Sequence, residues 1–248
     1  MKISLPKLIG HRGVKDLAPE NTLDSINEAI KLNLKWIEVD VKISKDHKPF
    51  LLHDECLDRT TSGSGLPYKF TYKQIKKLDA GSWFNKKYNN SYPPSLEEVL
   101  NLCSDKKIGL NIELKPNKNK EKENIQAIKN LLNKKKFYCE YFFSSFDYYS
   151  LKLLRKSMPN SSISLLIDKF DKEDIFEIDK IIELCKSINC FSLGLNLNLI
   201  SRQIIKICKK NNLFLSVYSN KNINFEKAKE LWDLGVDSIF IDDPRDFS

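Results

Sequence analysis

Short apolar runs alternate with longer amphipathic stretches along the whole of this chain. Runs at residues 7–10, 36–43, 50–53, 108–115, 141–145, 163–167, 191–195, 213–218 and 238–242 have the length and β-branched content of strands. Apolar positions recurring every three or four residues predict helices over 21–32, 96–103, 123–135, 147–156, 174–186, 201–210 and 225–234. Strands alternating with helices imply βα units and a parallel sheet. Nine strand runs are one too many for an eight-stranded barrel. Only residues 44–49 separate the second run from the third, and a parallel crossover needs about a dozen residues. Those two runs therefore form an antiparallel hairpin, and eight parallel strands remain. In 248 residues that is the arithmetic of a (β/α)8 TIM barrel.

One stretch breaks the rhythm. Residues 54–94 carry Gly63, Gly65, Gly81, Pro93, Pro94 and several aromatics where a short connection is usual. An insertion at this point is a small cap over the C-terminal face of the barrel. It belongs to the same domain, so residues 1–248 are expected to fold as one unit.

Composition narrows the class. With 41% hydrophobic residues the chain has ample core material, and no apolar run approaches the roughly 20 residues of a membrane span. The first residues hold no apolar signal core, and the expected location is the cytoplasm. The six cysteines show no metal-ligand spacing, and are expected reduced and partly buried. A net charge of +8 comes from dispersed lysines, which read as solvated faces rather than a nucleic-acid surface. No nucleic-acid partner is expected.

Catalytic groups of such barrels sit at the C-terminal ends of strands. The first strand run ends in Gly10-His11-Arg12-Gly13. The second contains Glu38-Val39-Asp40, whose i, i+2 spacing points both carboxylates to one side. Its hairpin partner ends in His53-Asp54, and the next barrel strand reads Asn111-Ile112-Glu113-Leu114-Lys115. Singly, each has a plain reading: a hydrogen-bonded histidine, or a solvated strand face. Jointly they do not, because interior barrel positions normally hold branched apolar residues. Glu38, Asp40, Glu113 and Lys115 there cost several kcal/mol in desolvation unless paired or bound to a metal. Three carboxylates without a cysteine suit Mg2+ or Ca2+ better than zinc. With such a cation, Arg12 and Lys115, the site carries one net positive charge, which a phosphodiester monoanion neutralises. Arg12 suits bidentate phosphate contact and Lys115 point-charge contact. His11 and His53 are the natural proton-transfer pair. The residues alone thus point to metal-dependent phosphodiester cleavage with histidine acid/base catalysis.

These residues also carry a resemblance. His11-Arg12-Gly13, Ala18-Pro19-Glu20-Asn21-Thr22, Glu38-Val39-Asp40, His53-Asp54 and Glu113-Leu114-Lys115 resemble the signature blocks of the glycerophosphodiester phosphodiesterase family, bacterial cytosolic type. Asp79-Ala80-Gly81-Ser82-Trp83-Phe84, Pro94-Ser95-Leu96-Glu97-Glu98-Val99-Leu100, Ser144-Ser145-Phe146-Asp147, Gly235-Val236-Asp237-Ser238-Ile239 and Asp242-Asp243-Pro244 continue the match. The resemblance implies a TIM barrel with an inserted cap that hydrolyses glycerophosphodiesters, such as glycerophosphocholine or glycerophosphoethanolamine, to glycerol 3-phosphate and an alcohol. It implies His11 and His53 as the catalytic pair, and Glu38, Asp40 and Glu113 as ligands of Mg2+ or Ca2+. Arg12 and Lys115 match phosphate-contacting positions, and Trp83 and Phe84 would line the substrate entrance or form the cap's own small core. Tyr218 stands where the family often has tryptophan and would pack a glycerol or alcohol face. Glu20 and Asn21 are expected to shape their loop and cap the following helix, with a direct role for Asn21 as the alternative.

A rival reading on the same barrel is a lipid-acting phosphodiesterase, lysophospholipase D-like or phosphoinositide phospholipase-like. Lysines 69, 73, 76, 77, 86 and 87 of the cap would then touch anionic headgroups. A solvated lysine-rich surface is the plainer account, so membrane contact is not expected. The sequence leaves open which alcohol departs, the oligomeric state, and which histidine is the base.

Overall fold

The computed structural model describes residue 3, residues 5–170 and residues 176–247. Among these, nine strands form one sheet: β1 (Leu8–Gly10), β2 (Trp36–Ile43), β3 (Pro49–Leu51), β4 (Gly109–Leu114), β5 (Tyr141–Ser145), β6 (Ile163–Ile167), β7 (Ser192–Asn196), β8 (Phe214–Tyr218) and β9 (Ser238–Ile241). Eight run parallel in the order β1-β2-β4-β5-β6-β7-β8-β9, and β9 pairs back to β1 with Leu8 opposite Ile239. The sheet is therefore a closed TIM barrel. β3 lies outside the circle, antiparallel to β2, with Val41 opposite Leu51 and Ile43 opposite Pro49. The six-residue spacing had required that hairpin.

The helices are α1 (Leu23–Lys31), α2 (Tyr72–Ile75), α3 (Leu96–Lys106), α4 (Glu121–Lys134), α5 (Tyr148–Ser157), α6 (Phe176–Ser187), α7 (Arg202–Lys210) and α8 (Phe225–Leu234). Their starts follow from side-chain caps. Thr22 accepts from Ser25 N at α1, Asp147 from Tyr149 N and Ser150 N at α5, and Asn224 from Lys227 N at α8. Ser95 and Glu98 close a reciprocal capping box at α3. The predicted start of α6, at Asp174, lies outside the described residues. Among the described residues no helix is long and apolar enough to cross a membrane.

Strand alternation divides the core in two. Outward residues such as Ile37, Val39, Val41, Leu110, Ile112 and Leu114 pack in one cluster with the helix faces. Inward residues Ile9, Trp36, Phe142 and Phe240 form a second cluster with Ile3, a plug inside the barrel. Trp36 fills that plug because β4 begins with Gly109, where a Cβ would stand 2.1 Å from the indole. Many of the remaining interior positions are small and polar. Asn111, Ser144, Ser164, Ser192, Ser216 and Ser238 are buried there, with Ser144 Oγ bonded to Asn111 Oδ1 at 2.9 Å. Small polar residues leave room for the charged layer on top.

The cap segment has its own core of Phe50, Leu52, Leu57 and Ile75. It is tied to α3 through Glu98, which accepts from Tyr72 Oη (2.8 Å), Tyr92 Oη (2.9 Å) and Lys76 Nζ (2.7 Å). A further link runs from Ser91 Oγ to Asp24 on α1.

Candidate active site

The turn after β1 is built by its glycines. Arg12 takes φ +50° and Gly13 φ +85°, and a Cβ on Gly10 would lie 2.2 Å from the Gly13 carbonyl oxygen. This tight turn folds Arg12 back over β2. Its backbone N–H donates to Glu38 Oε2 (2.9 Å), its guanidinium to Glu20 Oε1 (2.7 Å), and its Nε lies 3.3 Å from Asp40 Oδ2. His11 faces the same space. Its Nδ1 lies 2.7 Å from Asp242 Oδ1 at the end of β9, and its Nε2 lies 4.0 Å from Glu38 Oε2. An ionised carboxylate only accepts, so Nδ1 carries a proton and Nε2 is left for the cleft. Lys15 Nζ holds the other oxygen of Asp242 at 2.7 Å.

Glu38, Asp40 and Glu113 bring one oxygen each to within 4.8 Å of one another. Glu38 and Asp40 are 1% exposed and Glu113 7%. Burial pushes the Glu38 carboxyl well above the usual range, and the neighbouring Asp40 and Glu113 charges add to it. Burial also raises Glu113, with Asp40 again adding, to about 7. Asp40 goes the other way: against burial, Arg12, Lys115 and His53 hold it down to about 2. Asn21 secures it by donating to Oδ2 (2.8 Å) and accepting from its backbone N–H (3.0 Å). Lys115 Nζ sits 2.9 Å from Glu113 Oε1 and 3.9 Å from Asp40 Oδ1. Glu38 Oε1 is buried with no hydrogen-bond partner. A buried carboxylate oxygen without a donor, among three converging carboxylates that raise each other's charging cost, fits a hard divalent cation.

His53 follows β3 on the opposite wall. Its Nδ1 lies 2.7 Å from Asp54 Oδ1, and its Nε2 is 3.1 Å from Lys115 Nζ. Burial lowers its pKa, and Arg12 and Lys115 reinforce that against Asp40. The neutral ring therefore keeps its proton on Nδ1 and a lone pair on Nε2. Arg59 grips Asp54 through Nε (2.6 Å) and one terminal nitrogen (2.9 Å), and Glu20 through both terminal nitrogens (2.9 and 2.8 Å).

These groups open on a cleft of about 410 Å3 lined by His11, Arg12, Glu38, His53, Glu113 and Lys115. Tyr218 and Phe146 form an aromatic wall, edge to face at 5.6 Å, and Lys115 Nζ lies 5.2 Å over the Phe146 ring. Tyr218 is held by hydrogen bonds from its hydroxyl to the Ile167 carbonyl and Asp168. Trp83 and Phe84 are not on this wall. Trp83 meets Phe84 edge-on and Phe84 meets Tyr88 likewise on the cap, the indole N–H bonded to the Ala80 carbonyl. Glu20 and Asn21 correct one expectation: α1 is capped by Thr22, while Glu20 binds two arginines and Asn21 binds Asp40. Asp54, Asp242, Lys15, Arg59 and Phe146 join the site without having been assigned to it. For Asp242 the signal was present, since it closes the ninth strand run where the barrel rule says to look.

The fold is a TIM barrel, and its charged groups gather in a cleft at the C-terminal face, where enzymes of this fold carry their active sites. The family model described as Glycerophosphoryl diester phosphodiesterase family matches residues 11–246. The chain is 34% identical over 242 residues to a glycerophosphodiester phosphodiesterase of Caldanaerobacter subterraneus subsp. tengcongensis, covering 96% of this chain and 94% of that protein. It is 33% identical to the putative glycerophosphodiester phosphodiesterase YhdW of Bacillus subtilis, with the same coverage. An Oleispira antarctica phosphodiesterase, solved in complex with the product sn-glycerol-3-phosphate, superposes with a TM-score of 0.86 at 32% identity, over 96% of this chain and 93% of that one. The chain belongs to the glycerophosphoryl diester phosphodiesterase family, whose members are phosphoric diester hydrolases.

Proposed function

We propose that this enzyme hydrolyses glycerophosphodiesters, such as glycerophosphocholine or glycerophosphoethanolamine, to glycerol 3-phosphate and the free alcohol. The observation that carries this reading is the pair of imidazoles. Each has its Nδ1 occupied by a carboxylate and its Nε2 directed to one cleft that holds Arg12, Lys115 and three acids. Glu38, Asp40 and Glu113 are assigned as holders of a divalent cation, Mg2+ or Ca2+, which when bound would orient the glycerol hydroxyls and draw charge from the phosphoryl group.

His53 is neutral with a lone pair at Nε2, the form a base needs. We assign it to take the proton of the attacking hydroxyl, and His11, as the imidazolium with its Nδ1–H held by Asp242, to deliver its Nε2 proton to the departing alkoxide. Arg12 and Lys115 stabilise the extra negative charge at phosphorus. The attacking hydroxyl is the substrate's own glycerol C2 hydroxyl, which gives a cyclic phosphate that water then opens, or it is water itself. Proximity favours the first. An analogue lacking the C2 hydroxyl separates them, because normal turnover eliminates the cyclic route.

Release of glycerol 3-phosphate from glycerophosphocholine, coupled to glycerol-3-phosphate dehydrogenase, tests the reading. Assays run with Mg2+, Ca2+ or EDTA, beside His11→Ala. Product should require metal and fall by roughly 10²–10⁴-fold with His11→Ala. No product from folded protein under either metal, across several headgroups, would turn the assignment to the lipid-acting rival. Against that rival, Lys76 of the cap patch is already bound to Glu98 and stacked at 4.8 Å over Tyr92.

A further inference from the structure

We propose that Arg59 is a positioning residue for the reaction: it locks Asp54 against Glu20, and so fixes His53 on one wall of the cleft to the β1 turn on the other. The inference rests on the assignment of His53 as a proton-transfer residue. Arg59 lies six residues beyond His53, in the Leu57-Asp58-Arg59-Thr60-Thr61 stretch, to which the sequence had assigned no chemistry.

The geometry is a double clamp. Two nitrogens of Arg59 hold the two oxygens of Asp54, and two hold those of Glu20, all between 2.6 and 2.9 Å. Four of its five N–H groups are spent in this way, so Arg59 has little left to offer a phosphate. Its carboxylates carry the consequence outward. Asp54 reaches His53 Nδ1 at 2.7 Å, and Glu20 accepts from Arg12 at 2.7 Å. The result is a continuous chain, His53–Asp54–Arg59–Glu20–Arg12, across the mouth of the site. Without Arg59, Asp54 is a half-buried carboxylate with no second anchor. It would turn to water, and the His53 ring would lose the partner that fixes its tautomer and its direction. Lysine replaces it only in part, because one ammonium does not present two parallel pairs of donors.

The test measures kcat and KM on glycerophosphocholine at saturating metal for Arg59→Ala, Arg59→Lys, Asp54→Asn and the Arg59→Ala/Asp54→Asn double variant. Long-range proton–nitrogen NMR reads the imidazoles alongside. The chain has three histidines, so His53→Ala assigns the ring. Arg59→Ala should lower kcat by about 10–100-fold, with a smaller change in KM. The double variant should lose little beyond the worse single one, and Arg59→Lys should recover part of the loss. The wild-type ring should show the Nδ1–H tautomer, and Arg59→Ala a mixture. The proposal is overturned if kcat of Arg59→Ala stays within about twofold, if the two losses multiply, or if the tautomer signal is unmoved. Should Arg59→Ala fail to melt cooperatively, Arg59→Gln takes its place in every comparison. If His53→Ala turns over like wild type, the His53 assignment falls instead, and the tautomer comparison still decides the clamp.

Discussion

His11 and His53 reach the cleft through Nε2 because Asp242 and Asp54 occupy the other nitrogen. For His11 the partner is replaceable by a near-isostere. In Asp242→Asn the neutral amide no longer favours the imidazolium, and its NH2 can face Nδ1, so the doubly protonated ring that gives up the Nε2 proton is lost. We expect kcat to fall by about 10–100-fold while the thermal midpoint moves little, and steady-state kinetics with a melting curve on one preparation checks both. An unchanged kcat would mean that Asp242 does not hold His11 in its proton-donating form. The same comparison explains what the sequence disclosed at this scale. His11, Glu38, Asp40, His53, Glu113 and Lys115 were legible because each sits at a strand end or on a strict two-residue alternation. Asp54, Arg59 and Glu20 were not, because what they do depends on contacts. Arg59 meets Glu20 across 39 residues, and no periodicity encodes that. Trp83 and Phe84 show the converse, since an aromatic pair reads alike whether it faces the cleft or, as here, Tyr88.

Elements were read to within one or two residues where apolar periodicity was strong. β2, β5, β6 and α8 coincide with their predicted spans, while α3 runs on to Lys106, three residues past its expected end. Polar Ser104, Asp105 and Lys106 finish that helix on its solvent side, where the apolar pattern is silent. The cap helix α2 was missed for a physical reason: four residues make one turn, too short to display a period. What holds α2 in place is Glu98 on α3. Burial would raise its carboxyl, yet Lys76, Ser95 and Tyr72 bring it down from 4.5 to about 2. A depressed acid contributes stability that is complete above about pH 4.5 and is lost as pH falls toward 2. Because Glu98 is partly exposed, its contribution is discounted to about 1–2 kcal/mol. Glu98→Gln should therefore lose about that much at pH 7 and flatten the acid limb of stability between pH 5 and 2. Urea midpoints across that range test it, and a Gln variant with the wild-type acid slope would place the cap's anchor elsewhere.

The closed barrel concentrates its electrostatic cost at one end. Two strands, β2 and β4, pair Asp40 with Glu113 in register and set Glu38 opposite Asn111, so three acids meet where the sheet has no freedom to separate them. Arg12 and Lys115 compensate only in part, since Glu113 is still raised from 4.5 to about 7. The sign for the metal-free enzyme follows. A group that binds its proton more tightly when folded makes the protein lose stability as pH rises, here from about 4.5 until the folded group has ionised near 7. A divalent cation reverses this, because it binds the ionised acids and not the unfolded chain. At about 100 times its dissociation constant it adds about 2.7 kcal/mol, which for a chain of this length raises the melting midpoint by about 5–10 °C. Removing the cation with EDTA at pH 8 should lower the midpoint by that amount. Glu113→Gln should abolish most of the metal response and also lessen the fall of metal-free stability between pH 5 and 8, since the glutamine has no proton to lose and only the raised Glu38 carboxyl is left to ionise. Differential scanning calorimetry with Mg2+, Ca2+ or EDTA at several pH values reads both effects without any substrate. A midpoint indifferent to either metal would remove the cation from Glu38, Asp40 and Glu113, whereas a metal response that survives Glu113→Gln would place it on the β2 pair alone.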